Sequence, residues 1–300
     1  MTLLIGSAQL GLIYGLLALG IYISFRILNI PDLTADGSFT LGLSVSAVLT
    51  VAGFPFLGIL LGIAAGAAAG AVTGLLQTKL EIHPILAGIL TMSGLYSLNL
   101  YILGSRSNLS LIGSTSIFNQ LAWLSPDKEL IKTLIPLLVC FVCTAILIWF
   151  FKTHLGLCIR ATGNNEEMVT ASSINLNAMK IIALALSNAC VGLSGAVLAQ
   201  YQGYADISSG IGIMVVGLAS AIIGEAIFGK RSLTLGLFSA IFGSLLYRFI
   251  IAAALQSTIF PAYMLRLVSA VIVVSALSVP VAKKRLQLRS MRKKVLRQDA

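Results

Sequence analysis

The sequence predicts an all-α, polytopic transmembrane bundle of about nine spans, within a range of eight to ten. Three observations carry that reading. Apolar runs of about 20 residues, the length a helix needs to cross the hydrocarbon layer, recur along the chain. Charged residues make up only 10% and apolar residues 58%, where soluble domains carry roughly 25% charge. The net charge of +10 is uneven, because Lys283, Lys284, Arg285, Arg289, Arg292, Lys293, Lys294 and Arg297 crowd into the C-terminal end. A basic tail straight after an apolar helix fits a cytoplasmic tail obeying the positive-inside rule and touching anionic lipid, in preference to nucleic acid.

Taken in order, the apolar windows fall at 5–28, 38–54, 56–78, 84–103, 131–151, 177–200, 211–228, 233–255 and 260–281. No basic region precedes the first, so it reads as a retained span and not a signal peptide. If the spans alternate from an outside N-terminus, Arg26, Lys79, Lys152, Arg160, Lys230, Arg231 and the tail share the cytoplasmic side. Arg106, Lys128 and Lys132 then lie outside, which places the N-terminus out and the C-terminus in. Residues 1–282 form one membrane domain and 283–300 the tail.

The first span runs into Arg26-Ile-Leu-Asn29-Ile-Pro31-Asp32-Leu-Thr-Ala-Asp36-Gly37-Ser38. Pro31, two acids and Gly37 stop a helix here, as either a simple cytoplasmic turn or a re-entrant bend lining a pathway. Irregular backbone at membrane depth persists only where protein buries it or a cavity wets it. The third span carries Gly62, Gly66, Gly70 and Gly74 at every fourth position with alanines between them. Such a ridge lets a second helix approach closely, within the subunit or between subunits. The 104–131 loop, outside on this topology, offers a docking surface to an external protein.

Polar groups inside spans are expensive and usually face protein or water. On polarity alone Tyr14, Asn29, Asp32, Asp36, Ser38, Asn99 and Asn188 are candidate pathway residues. Glu225, Arg248 and Arg266 fall toward helix ends and read as snorkelling surface residues. The longest polar interruption, Lys152 to Asn177, is flanked by apolar runs on both sides. Its charges exclude it from the bilayer, and Ala161 to Ser173 reads as one or two turns of helix in water.

Other motifs lack the context their chemistry needs. Gly224 to Ser232 nearly spells a phosphate-binding loop, but Arg231 replaces the magnesium-binding hydroxyl and the stretch closes a membrane helix. Ser194 has no base within expected reach, since His83 and His154 are placed at cytoplasmic ends. Cys140 and Cys143 lie inside an apolar helix, where small-residue packing is the plainer reading. No metal-ligand cluster or catalytic constellation stands out.

Gly11-Leu-Ile-Tyr14-Gly15-Leu-Leu-Ala-Leu-Gly20, followed by Arg26-Ile-Leu-Asn29, resembles the opening of branched-chain amino acid permeases of bacterial ABC importers. Gly156-Leu-Cys-Ile-Arg160-Ala-Thr-Gly-Asn-Asn-Glu166-Glu-Met-Val-Thr-Ala171 is similar to that family's coupling segment. The overall pattern is most similar to the branch of tryptophan or tyrosine importers. Pro31 to Ser38 is closer to the turn of sugar permeases in the same superfamily. The resemblance implies a homodimeric permease in the bacterial cytoplasmic membrane, importing a small polar solute, an aromatic or branched-chain amino acid, delivered by an extracytoplasmic lipoprotein. ATP and magnesium would sit on a separate ATPase and no cofactor on this chain. Residues 152–177 would then be the coupling segment, with Gly156, Arg160, Ala161, Thr162, Gly163, Asn164, Glu166, Glu167 and Ala171 meeting the ATPase. An ion-coupled carrier or channel, and a sugar or nucleoside substrate, are the alternatives.

Overall fold

The computed structural model describes residues 2–121, 127–229 and 232–256, with isolated helical positions at 267, 270, 271, 274 and 278. Among the described residues eight helices are long and apolar enough to cross a membrane. The ninth window, apart from those isolated positions, lies outside the described residues, as do Lys230, Arg231, Arg266 and the basic tail.

Helix α1, Thr2–Tyr22, continues as a π turn over Ile23–Ile27. It is followed by α2, Thr34–Val51, then α3, Pro55–Lys79, and α4, Pro84–Ile102. Both α3 and α4 open on a proline, whose missing N–H is one a helix start leaves free anyway. A short strand β1, Asn108–Ser110, and a single turn α5, Ile117–Gln120, lead to α6, Lys128–Lys152. Two shorter helices follow, α7, His154–Asn164, and α8, Glu166–Ala171. The longest helix, α9, Leu176–Gln202, runs into β2, Tyr204–Asp206, and a 3₁₀ turn, Ile207–Gly210. Helix α10, Ile213–Phe228, and α11, Leu233–Gln256, complete the described bundle. The strands pair antiparallel with Leu109 opposite Ala205.

The bundle therefore has a strand-pair end and a short-helix end. Arg26, Lys79, Lys152 and Arg160 belong to the second, and Arg106, Lys128 and Lys132 to the first, the segregation that the charge pattern predicts. The polar stretch is more helical than expected. Thr153, Asn165 and Asn175 each accept a backbone N–H through the side chain and so start α7, α8 and α9.

Helices α1, α2 and α9 are mostly enclosed, whereas α4 and α6 present most of their apolar surface outward. The glycine ridge of α3 lies along α9 inside the subunit. A β-carbon on Gly66 would fall on the Asn188 carbonyl and one on Gly70 on the Leu184 carbonyl. Gly62 meets Ala196, and Gly74 meets Ile181. Close backbone approach without side chains is what a lipid-solvated interface uses in place of a hydrophobic driving force.

The 28–34 segment takes the re-entrant form, one of the two expected of it. The departure is that α2 begins at Thr34 and not at 38, so that Gly37 continues the helix instead of stopping it. Asn29 takes the left-handed conformation at φ 58°, one an asparagine tolerates, and turns the chain back. Asp32 then lies against Asn188, which is twelve residues, or roughly 18 Å of helix rise, from the start of α9. From the other end the 207–212 segment also dips inward, with Gly210 packed on the Asp36 carbonyl and on Thr40. The first turns of α2 and α10 thus meet within the bundle.

Candidate functional site

That meeting point is built by two carboxylates. Asp32 is buried, accepts the Thr34 N–H at 2.9 Å and takes the Asn188 Nδ2 amide at 2.6 Å. Burial pushes its carboxyl above the ordinary range, with the hydrogen bonds from Thr34 and Asn188 pulling the other way. Asp36, one helical turn further on, accepts the N–H groups of Gly212 and Met214, each at 2.8 Å. It therefore caps the first turn of α10 with a negative charge, where the helix dipole favours one. A chain of hydroxyls, Thr34 to Thr73 at 2.7 Å and Thr73 to Thr91 at 3.0 Å, ties α2, α3 and α4 together beside it.

Two cavities flank the 207–212 strap. One, of about 410 Å³, is lined by Asp36, Thr40, Ser93, Tyr96 and Asn99. The buried Asn99 donates to the Gly37 carbonyl at 3.3 Å and leaves its own oxygen without a protein partner. The other, of about 430 Å³, is lined by Tyr14, Ile213, Val216, Tyr247 and Arg248. Arg248 is not a snorkelling surface residue. Leu245 of α11 packs on Gly11 of α1, which puts Arg248 alongside the outer half of α1. Helical side chains lean toward their own N-terminus, so the guanidinium reaches back to 3.7 Å from the centre of the Tyr14 ring. Partly buried stacking of this kind contributes about 1 kcal/mol.

Glu225 is likewise misread from sequence. Its side chain is buried and forms an ion pair with Arg26, because α10 runs beside the π turn at the end of α1. A third cavity, of about 350 Å³, opens there between this pair, Tyr22, Arg160 and Asn164. It links the bundle to α7. Gly163 of α7 sits directly on the Ile27 carbonyl, and Gly156 on Phe150 and Phe151.

A bundle of spanning helices with internal helix breaks, cavities at those breaks and an amphipathic helix pair at one end is an arrangement found in transporters. The family model for the permease component of branched-chain amino acid transport systems matches residues 3–277. The chain belongs to that permease family. A tyrosine transport system permease protein of Clostridioides difficile is 36% identical over 268 residues, 89% of this chain and 88% of its own. An uncharacterized protein of Rickettsia prowazekii is 34% identical over 230 residues, 76% of this chain and 79% of its own. The D-allose transport system permease protein of Escherichia coli matches a smaller part, 33% identical over 116 residues, 37% of this chain and 35% of its own. No solved structure matches significantly. The permease is thus the membrane component of an ABC-type transport system and a multi-pass protein of the bacterial cytoplasmic membrane.

Of the pathway residues named from polarity, the permease brings Asp32 and Asn188 into contact. Asp36 and Asn99 share one cavity wall. Tyr14 lines the other cavity. Ser38 is buried in α2 without a partner for its hydroxyl. Asn29 joins none of these and stays exposed at its turn. In the polar stretch Thr162 is buried, Ala161 and Gly163 are half-buried, and Arg160, Asn164, Glu166, Glu167 and Ala171 are exposed. Glu166 pairs with Lys180 at 2.8 Å. The close contact that Gly163 permits is with Ile27 in the same chain. Sequence reasoning missed the Arg26–Glu225 pair and the Arg248 stack. The signal available was one acid and one base in separate spans at the same end of the bundle, which need each other at that depth.

Proposed function

We infer that this permease is the membrane subunit of an ATP-driven importer that moves an amino acid, aromatic or branched-chain, with the short-helix end in the cytoplasm. The observation that carries the reading is the mechanical join at that end. Helix α7 is locked to the end of α1 through Gly163 and Ile27, and α1 is tied to α10 by Arg26 and Glu225. A push on α7 or α8 is transmitted to α1 and α10, which line the Arg248 cavity together with α11. The chain needs an outside energy source for such a push, and a separate ATPase holding ATP and magnesium supplies it, biasing two positions of the lever. Likeness over most of the chain to a tyrosine transport permease, against a shorter match to a D-allose one, favours the amino acid over the sugar. A substrate-binding lipoprotein would dock at the strand-pair end and a second copy of the chain would complete the pathway.

Gentle solubilisation from the native membrane, followed by mass spectrometry of what stays bound, tests this. The parent chain is expected to retain an ATPase, and a variant with Glu166→Ala and Glu167→Ala to lose it while remaining folded. Recovery of the chain without an ATPase in both samples would replace the importer by an ion-coupled carrier, with Asp32 as the next group to examine.

A further inference from the structure

We propose that the Arg248 cavity is a binding station for the carboxylate of the translocated solute, with Arg248 as its anchor and the apolar wall of α10 and α11 holding the side chain. The proposal rests on the amino acid reading above and adds the site that reads the substrate.

Arg248 carries a charge inside the bundle that no carboxylate among the described residues neutralises. The sequence holds ten acidic residues. Asp32 is held by Thr34 and Asn188, Asp36 by Gly212 and Met214, and Asp206 by Ser208. Glu225 pairs with Arg26, Glu129 with Lys132 and Glu166 with Lys180. Glu81 and Glu167 are exposed at the short-helix end, Asp127 precedes α6 at the strand-pair end, and Asp299 belongs to the tail. No described carboxylate forms an ion pair with Arg248. Its Nε is buried without a hydrogen-bond partner, and its face is held by the Tyr14 ring. Tyr14 is fixed in turn by stacking on Phe39, with ring centres 6.1 Å apart.

The fork is therefore oriented and short of an anion. An unpaired intramembrane cation lining a cavity marks a substrate path by default. Arginine matches a carboxylate through two parallel N–H bonds, a recognition that a neutral sugar ring has no group to satisfy. The rest of the lining, Ile213, Val215, Val216 and Ile251 beside Tyr247, is apolar and aromatic. The geometry selects a small solute with a carboxylate at one end and an apolar or aromatic group at the other. The cavity also touches the first turn of α10, but Asp36 already takes two donors there, so the arginine is the anion anchor.

The test is saturation-transfer NMR on the full chain in phosphatidylcholine nanodiscs, with four separate probes. These are L-tyrosine, 3-(4-hydroxyphenyl)propanoate, tyramine and D-allose. The two carboxylates are expected to bind at least tenfold more tightly than tyramine or D-allose. Arg248→Gln should weaken both carboxylates at least tenfold, and Arg248→Lys less, because charge survives and the fork does not. Val215→Trp, which fills the cavity from an exposed position and leaves Arg248 in place, should weaken them as well and guards against a misfolded arginine variant.

Equal binding of tyramine and L-tyrosine, an unchanged Kd in Arg248→Gln, or no binding of either carboxylate would overturn the proposal. Binding of D-allose alone with the ATPase still retained would remove the carboxylate station and leave the importer. Carboxylate binding that depends on Arg248 in a chain that retains no ATPase would do the reverse.

Discussion

Where α3 meets α9, Gly66 and Gly70 let helix backbones touch, and the nearest heavy atoms are the carbonyls of Asn188 and Leu184. Where α1 meets α10 and α11, looser approaches such as Gly11 on the Leu245 side chain are interrupted by Arg248 and by the Arg26–Glu225 pair. Both regions are predominantly apolar, yet their polar groups have different surroundings. On the α3–α9 side, Thr34, Thr73, Ser46 and Gln200 bond to neighbouring helices. On the α1–α10–α11 side the charges border cavities of about 350 and 430 Å³. A static seam needs polar groups that close on each other, and a pathway needs some that do not. The passage we propose therefore lies in the second region, where Arg248 borders a cavity, and the glycine seam of the first serves packing.

The comparison breaks most visibly at Gly70. Gly70→Leu must push a side chain into the Leu184 carbonyl, so its cost is expected at or above the ~3 kcal/mol top of the usual overpacking range. The check is the midpoint of thermal unfolding in detergent together with the yield of monodisperse protein. A Gly70→Leu chain as stable as the parent would show that α3 and α9 are not a rigid seam.

Glu225→Gln comes next, because it leaves Arg26 half-buried without its carboxylate. Breaking such a pair from one side costs about 3 kcal/mol. The double variant with Arg26→Met should recover part of that stability, while transport stays lost if the pair also carries motion from α7. Recovery of both stability and uptake in the double variant would make the pair ordinary packing.

The smallest effect concerns Asp32 and sharpens the boundary between the regions, since it faces Asn188 of α9 from the bend that opens α2. Burial raises its carboxyl above the ordinary 3.8. The folded chain therefore keeps the proton to higher pH than the unfolded chain, and stability falls as pH rises from about the ordinary value through the raised one. Asp32→Asn should flatten that slope of unfolding midpoint against pH, and Asp32→Ala should cost roughly 1–3 kcal/mol by leaving the Thr34 and Asn188 donors unpaired. An unaltered pH slope in Asp32→Asn would mean that another group titrates.

Much of the fold was legible because the bilayer imposes one rule on every span. Eight of the nine apolar windows recover a described helix to within a few residues, and the ridge from Gly62 to Gly74 is a packing face. The bend at 28–34 was recognised as irregular from Pro31, with a re-entrant form as one of two readings, but a window of hydropathy has no vertical coordinate to choose between them, and Gly37, read as a helix stop, lies inside α2. Asp32 and Asn188 were singled out separately, 156 positions apart, and nothing in local spacing pairs them. Arg248 was assigned to a helix end by counting residues, whereas the lean of its side chain and the offset of α11 on α1 carry its charge inward.

The sequence by itself determined that this chain spans the membrane and how its helices are punctuated, because composition and periodicity respond to solvent alone, while the family was legible only through the resemblance of its first span and its polar stretch. Only the tertiary structure decided which polar groups meet. It joined Arg26 to Glu225, set Asp36 on the start of α10 and placed Arg248 over Tyr14 with no described carboxylate paired to it, because such pairings depend on the offsets between helices that local sequence does not encode.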